Sequence, residues 1–137
     1  MRLMGLDVGQ KTIGVSISDE LGWTAQGLEV IKRTNLEQDL ARLEDLIGQY
    51  QVSQIIVGLP KNMDGTIGQT GVLCQAFAQA LQAKTGLPVK MWDERLSTQS
   101  AERILLAADM SRKKRKQVID KMAAVIILQS YLDAHTK

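Results

Sequence analysis

The chain has a single cysteine, Cys74, and a single histidine, His135. One cysteine excludes an internal disulfide, and a lone buried thiol is the simplest reading of Cys74. His135 stands at the tail, which leaves histidine-based catalysis and histidine-rich metal sites without support. No apolar run approaches the roughly 18 residues that a membrane helix requires, residues 123–128 being part of the longest. The N-terminus reads directly into a strand and lacks the charged, apolar and cleavage regions of a secretory signal. Internal repeats and low-complexity linkers are absent too. These absences leave a single globular domain spanning residues 1–137, away from membranes and with the cytoplasm as its expected address.

What is present is unevenly distributed. Residues 1–70 carry 6 basic and 9 acidic side chains, whereas residues 71–137 carry 11 basic and 6 acidic, for a net charge of +2. The excess is concentrated in Arg112, Lys113, Lys114, Arg115 and Lys116, read as a loop. Such a run is either a solvated loop or a phosphate-binding patch.

Hydrophobic patterning predicts the architecture. Residues 3–8 and 12–18 form a hairpin around Gly9-Gln10-Lys11, and a third strand covers about 24–31. Asn35 caps a helix whose apolar positions are Leu36, Leu40, Leu43, Ile47 and Tyr50. A continuous apolar strand covers 54–59, as expected for a strand covered on both faces. A loop over 60–69 leads to a helix over about 70–84, which stops at Gly86. A short strand covers 88–93, a helix capped by Ser97 or Thr98 runs to about 108, and a final helix covers about 116–134. The fold class is therefore α/β: a five-stranded mixed sheet, three antiparallel strands and then parallel ones, with helices on both faces.

Three carboxylates stand out by context. Asp7 interrupts the apolar run Leu3-Met4-Gly5-Leu6-Asp7-Val8. Glu94 follows the last strand, at the end where α/β folds place their sites. Asp120 shares a helical stripe with Gln117, Ala124, Ile127 and Tyr131. Acids directed toward a core need cations between them. Mg²⁺ or Mn²⁺ suits such oxygen donors, and zinc does not, since no histidine or cysteine cluster accompanies them. Each acid alone also has an ordinary explanation: a strand end for Asp7, an ion pair with Arg95 for Glu94, a helix-terminal charge for Asp120.

The segments LDVGQKTIGVSISD (6–19), IIVGLPKNMDGTIGQ (55–69), VKMWDERLSTQSAE (89–102) and IDKMAAVIILQSYLD (119–133) together resemble the YqgF/RuvX family. This family consists of nucleases similar to Holliday junction resolvases, with a ribonuclease-H-like fold. The resemblance implies that Asp7, Glu94 and Asp120 are the catalytic and metal-binding acids. It also implies a role in maturing the 5′ end of pre-16S ribosomal RNA, with structured RNA as substrate and the ribosome as an associated partner. A four-way DNA junction is the alternative substrate, and a catalytically silent nucleic-acid-binding module the alternative class. The Asp-x-Gly hairpin also occurs in sugar kinases and actin-like ATPases, but those need two such domains and this chain has room for one.

Beside this, Lys11 at the hairpin tip is either a phosphate contact or an ordinary turn lysine. Arg95 either orients Glu94 or meets the scissile phosphate. Asp64 either lies near substrate or makes the local hydrogen bond common in turns. Trp92 either stacks on a base or belongs to the core. With an acidic site present, residues 112–116 are expected to contact nucleic acid.

Overall fold

The computed structural model describes residues 2–62, 64–93 and 112–135, except for the side chains of 112–121. Its elements are β1 (Arg2–Val8), β2 (Thr12–Ser18), β3 (Ala25–Lys32), α1 (Leu36–Tyr50), β4 (Val52–Leu59), α2 (Gln69–Thr85), β5 (Val89–Asp93) and α3 (Arg112–His135). The strands form one five-stranded sheet in the order β3-β2-β1-β4-β5. β2 pairs antiparallel with both β1 and β3, while β4 pairs parallel with β1 and β5. The expected mixed sheet is present, and its first strand is central.

Local signals account for where the elements stop and start. The Asn35 side chain accepts a hydrogen bond from the Gln38 amide at 2.9 Å, satisfying a donor that the first turn of α1 would otherwise orphan. At the C-terminal end of α2, Gly86 adopts φ +72 and returns its N–H to the Gln82 carbonyl at 2.8 Å. The β2–β3 turn is built around Asp19, whose carboxylate accepts from the amides of Trp23 (2.7 Å) and Thr24 (3.1 Å), with Gly22 at φ +74.

Alternation divides β1 between two layers. Met4, Leu6 and Val8 join Ile13, Val15, Ile55 and Val57 beneath Leu40 and Leu43 of α1 and Phe77 and Leu81 of α2. The opposite face, formed by Ile56 with Leu3, Ala25 and Trp92 at its margin, is covered by Ile127, Leu128, Tyr131 and Leu132 of α3. Here α3 approaches closely. A Cβ at Gly5 would lie 2.5 Å from Ser16 Oγ, 2.7 Å from Leu128 Cβ and 3.0 Å from the Ala124 carbonyl oxygen. Ser16, fully buried, donates its hydroxyl to that carbonyl at 2.7 Å. Gln129 then reaches the sheet edge, accepting from the Ala25 amide (2.9 Å) and donating to the Trp23 carbonyl (3.1 Å).

One expectation is corrected. Residues 112–116 are not a loop: α3 begins at Arg112, so the basic run forms its first turns. Lysine and arginine are good helix formers, and the run contains no glycine or proline to stop a helix. The helix expected over 97–108 lies outside the described residues.

The close approach at Gly5 yields a stability test. Gly5→Ala inserts a methyl group where backbone as well as side chain is in the way, and should cost about 1–3 kcal/mol. A urea midpoint equal to that of the parent would contradict this packing.

Candidate nucleic-acid-processing site

Asp7 is the penultimate residue of β1 and lies half-buried on the α3 face of the sheet, in alternation with Leu3 and Gly5. Its antiparallel partner is Gly14. On the other side, the parallel register Leu6↔Val57 continued by one residue brings Gly58 beside it, and Gly58 in turn pairs with Trp92. The carboxylate is therefore flanked on both neighbouring strands by residues without side chains. This gap answers how an acid is tolerated within an apolar strand. Asp7 faces away from the α1/α2 core, has a glycine directly across from it on each flanking strand, and stands where the parallel strands end.

The other two acids can be located only along the chain. Glu94 directly follows Asp93, the last residue of β5, which pairs with Leu59 at the same edge; Glu94 and Arg95 themselves lie outside the described residues. Asp120 belongs to α3, one turn before Ala124. The carbonyl of Ala124 sits over Gly5, and Leu3 packs with the cluster around Tyr131 and Leu132. α3 thus runs opposite to β1. Four helix residues advance about 6 Å and two strand residues about 6.7 Å. The backbone position of Asp120 accordingly falls toward the Asp7 end of β1. Among the described residues, no three His, Cys, Asp or Glu side chains converge on one point.

Lys11 is exposed at the hairpin tip, where the Gly9 amide bonds the Thr12 carbonyl at 2.8 Å. Glycine suits this close turn, since an added Cβ at Gly9 would sit 3.1 Å from that carbonyl oxygen, tighter than ordinary contact. The loop after β4 opens onto the same edge. Lys61 pairs with Asp93 at 3.8 Å. Asp64 accepts from both the Thr66 hydroxyl (2.6 Å) and the Thr66 amide (3.0 Å), so it makes the local turn bond. Those two bonds, the hydroxyl foremost, hold the Asp64 carboxyl below its ordinary value of 3.8. Trp92 belongs to the packed layer: its indole donates to Ser130 Oγ at 3.1 Å and its ring meets Tyr131 edge-on at 5.3 Å. His135 closes α3, stacked on Tyr131 at 4.0 Å.

One cluster is not anticipated by the sequence reading. Asp39 is only 2% exposed and accepts from Arg33 Nε at 3.1 Å and from the Thr34 amide at 3.2 Å. Arg33 also donates to the Gly9 carbonyl at 2.9 Å. The signal available is spacing: Asp39 lies three residues after Leu36 and four before Leu43, on the apolar stripe itself.

The chain as a whole is similar to known proteins. A model of the RuvX family, described as Holliday junction resolvase, matches residues 1–134. A Desulforamulus reducens protein titled "Putative pre-16S rRNA nuclease" is 60% identical over 137 residues, covering 100% of both chains. A Bacillus cytotoxicus protein of the same title is 61% identical, covering 98% of this chain and 99% of its own. Among solved structures, Thermus thermophilus RuvC in complex with a Holliday junction substrate aligns with a TM-score of 0.63 at 16% identity, covering 99% of this chain and 96% of that one. At that identity the likeness establishes the fold, which is ribonuclease-H-like.

The Asp64 turn has a consequence for pH. A carboxyl depressed in the folded state contributes stability above its unfolded value, near 4, and loses it as pH falls through the lower folded value. Carboxyl NMR titration should therefore find Asp64 below 3.8, and Thr66→Val should move it upward. An unchanged titration in the variant would discount the hydroxyl bond.

Proposed function

Because the chain belongs to the RuvX family, we propose that it is a nuclease hydrolysing phosphodiester bonds in the 5′-end maturation of pre-16S ribosomal RNA. The observation that carries this reading is the placement of Asp7. It stands at the end of the central strand, between two glycines, with Glu94 following β5 and Asp120 on the helix that covers this face. Relatives titled for pre-16S rRNA and matching over their full length favour RNA over a DNA junction as substrate.

The donor set is composed of carboxylates, which suits Mg²⁺ or Mn²⁺, and the residues directly across from Asp7 on both flanking strands are glycines, which add no side chain beside it. Asp7, Glu94 and Asp120 would hold the ion, which when bound supplies Lewis acidity and charge neutralisation at the scissile phosphate. The protein's own residues would do the rest. Asp7 is set in a sheet strand, so its carboxylate has little freedom to drift from the reacting centre. Lys11, at the tip of the hairpin that carries Asp7, would meet a neighbouring phosphate, and Arg95 would act beside Glu94.

Arg112, Lys113, Lys114, Arg115 and Lys116 occupy the N-terminal turns of a 24-residue helix that has no acid in its first turn. Cations are unfavourable at the positive end of a helix dipole. A phosphate backbone lying there would relieve both the mutual repulsion and the dipole, which favours nucleic acid as the partner of this run.

Asp7→Asn is nearly isosteric and should reduce cleavage by roughly 100-fold or more while preserving thermal stability. Precursor 16S ribosomal RNA and a four-way DNA junction, tested side by side with Mg²⁺ and Mn²⁺, should show preference for the RNA. Full activity of the Asp7 variant would remove the site assignment, and preference for the junction would reverse the substrate. Neutralising residues 112–116 to Gln should flatten the dependence of log K on log salt by about 0.7–0.9 for each phosphate no longer neutralised. An unaltered slope would exclude these residues from substrate binding.

A further inference from the structure

The peptide groups that follow Asp7 are held from the opposite face of the sheet. Cys74 of α2, buried, donates its thiol to the Val8 carbonyl at 3.4 Å. Arg33 donates Nη1 to the next carbonyl, that of Gly9, at 2.9 Å. The Arg33 backbone amide adds a third tie, to the Lys11 carbonyl at 2.9 Å. Arg33 is itself fixed in place, with Nε on Asp39 at 3.1 Å and its guanidinium 5.3 Å above the Phe77 ring. Asp39 is anchored in turn by the Thr34 amide and by its place on α1.

We infer that Arg33, oriented by Asp39, is a positioning residue that sets the backbone after Asp7 and so the carboxylate's place in the site. This rests on the reading of Asp7 as a metal ligand. Peptide planes are rigid, so fixing two successive carbonyls leaves the chain beyond Asp7 little rotational freedom. The hairpin tip that carries Lys11 is fixed by the same guanidinium. Asp39 is buried while the Arg33 side chain is 26% exposed, and such a pair is a poor source of stability compared with apolar packing of the same volume. Its forked geometry, reaching a carboxylate with one nitrogen and a carbonyl with another, is what arginine provides and lysine cannot. That chemistry fits a positioning device better than a stabilising one.

The test is Mn²⁺ affinity, read by electron paramagnetic resonance on the full chain, together with melting temperature. Arg33→Lys keeps the charge opposite Asp39 but cannot span both acceptors. It should weaken Mn²⁺ binding about tenfold, the scale found when the outer support of a metal ligand is removed, and lower kcat with little change in KM. Leu43→Ala, a core truncation on α1, should lower the melting temperature at least as much and leave Mn²⁺ affinity intact. If Arg33→Lys loses stability but binds Mn²⁺ like the parent, Arg33 is only structural and the inference fails. Asp7→Asn separates the two levels. Loss of Mn²⁺ binding there upholds the site, whereas parental binding overturns the site reading and this inference with it.

Discussion

The close contact of α3 with the sheet at Gly5 and Ser16 is the constraint on which the remainder depends. The helix comes near enough for the Ser16 hydroxyl to reach the Ala124 carbonyl at 2.7 Å, and only a residue without a side chain fits beneath it. That contact sets the height of the helix above β1 and its register along the strand. The register in turn determines which α3 positions stand over the end of β1, where Asp7 lies. A serine and glycines form this face between the apolar residues at its margins, so packing here comes from proximity more than from volume.

The two sides of the sheet consequently do different work. The side facing α1 and α2 is apolar and deep, with Met4, Leu6, Ile13, Ile55 and Leu81 fully buried. The α3 side also carries polar side chains. The polarity is tolerated because it is satisfied: Ser16 and Gln129 each use their side chains on backbone groups. One face thus holds the fold together, and the other carries Asp7.

Much of this is legible in the sequence. The five strands and their order of types follow from alternation and apolar runs, and the caps at Asn35 and Gly86 act as their residue types predict. Asp7 is conspicuous because a lone carboxylate in an apolar strand has few structural uses. Less legible is what depends on absolute rotation or long-range pairing. The periodicity of α1 is clear, yet Leu36 is 47% exposed while Asp39 is buried, because a period defines a stripe and not which edge of it meets the core. Arg33 and Asp39 find each other through the turn into α1, and Gly9 lies 24 residues from Arg33. The basic run reads as a loop because its charge suggests solvent, whereas its backbone preferences favour the helix that forms. The glycine flanks of Asp7 are visible as glycines, but their meaning requires the strand register.

The Ser16–Ala124 bond joins residues 108 positions apart. During synthesis the first four strands, α1 and α2 can assemble their shared apolar layer well before α3 exists. The opposite layer, including Ile56 and the row containing Asp7, stays uncovered until the chain has been made past residue 132. A partly made chain therefore holds a nearly complete sheet and no closed site. Asp7 acquires its cover last, when nearly every other described element is already in place.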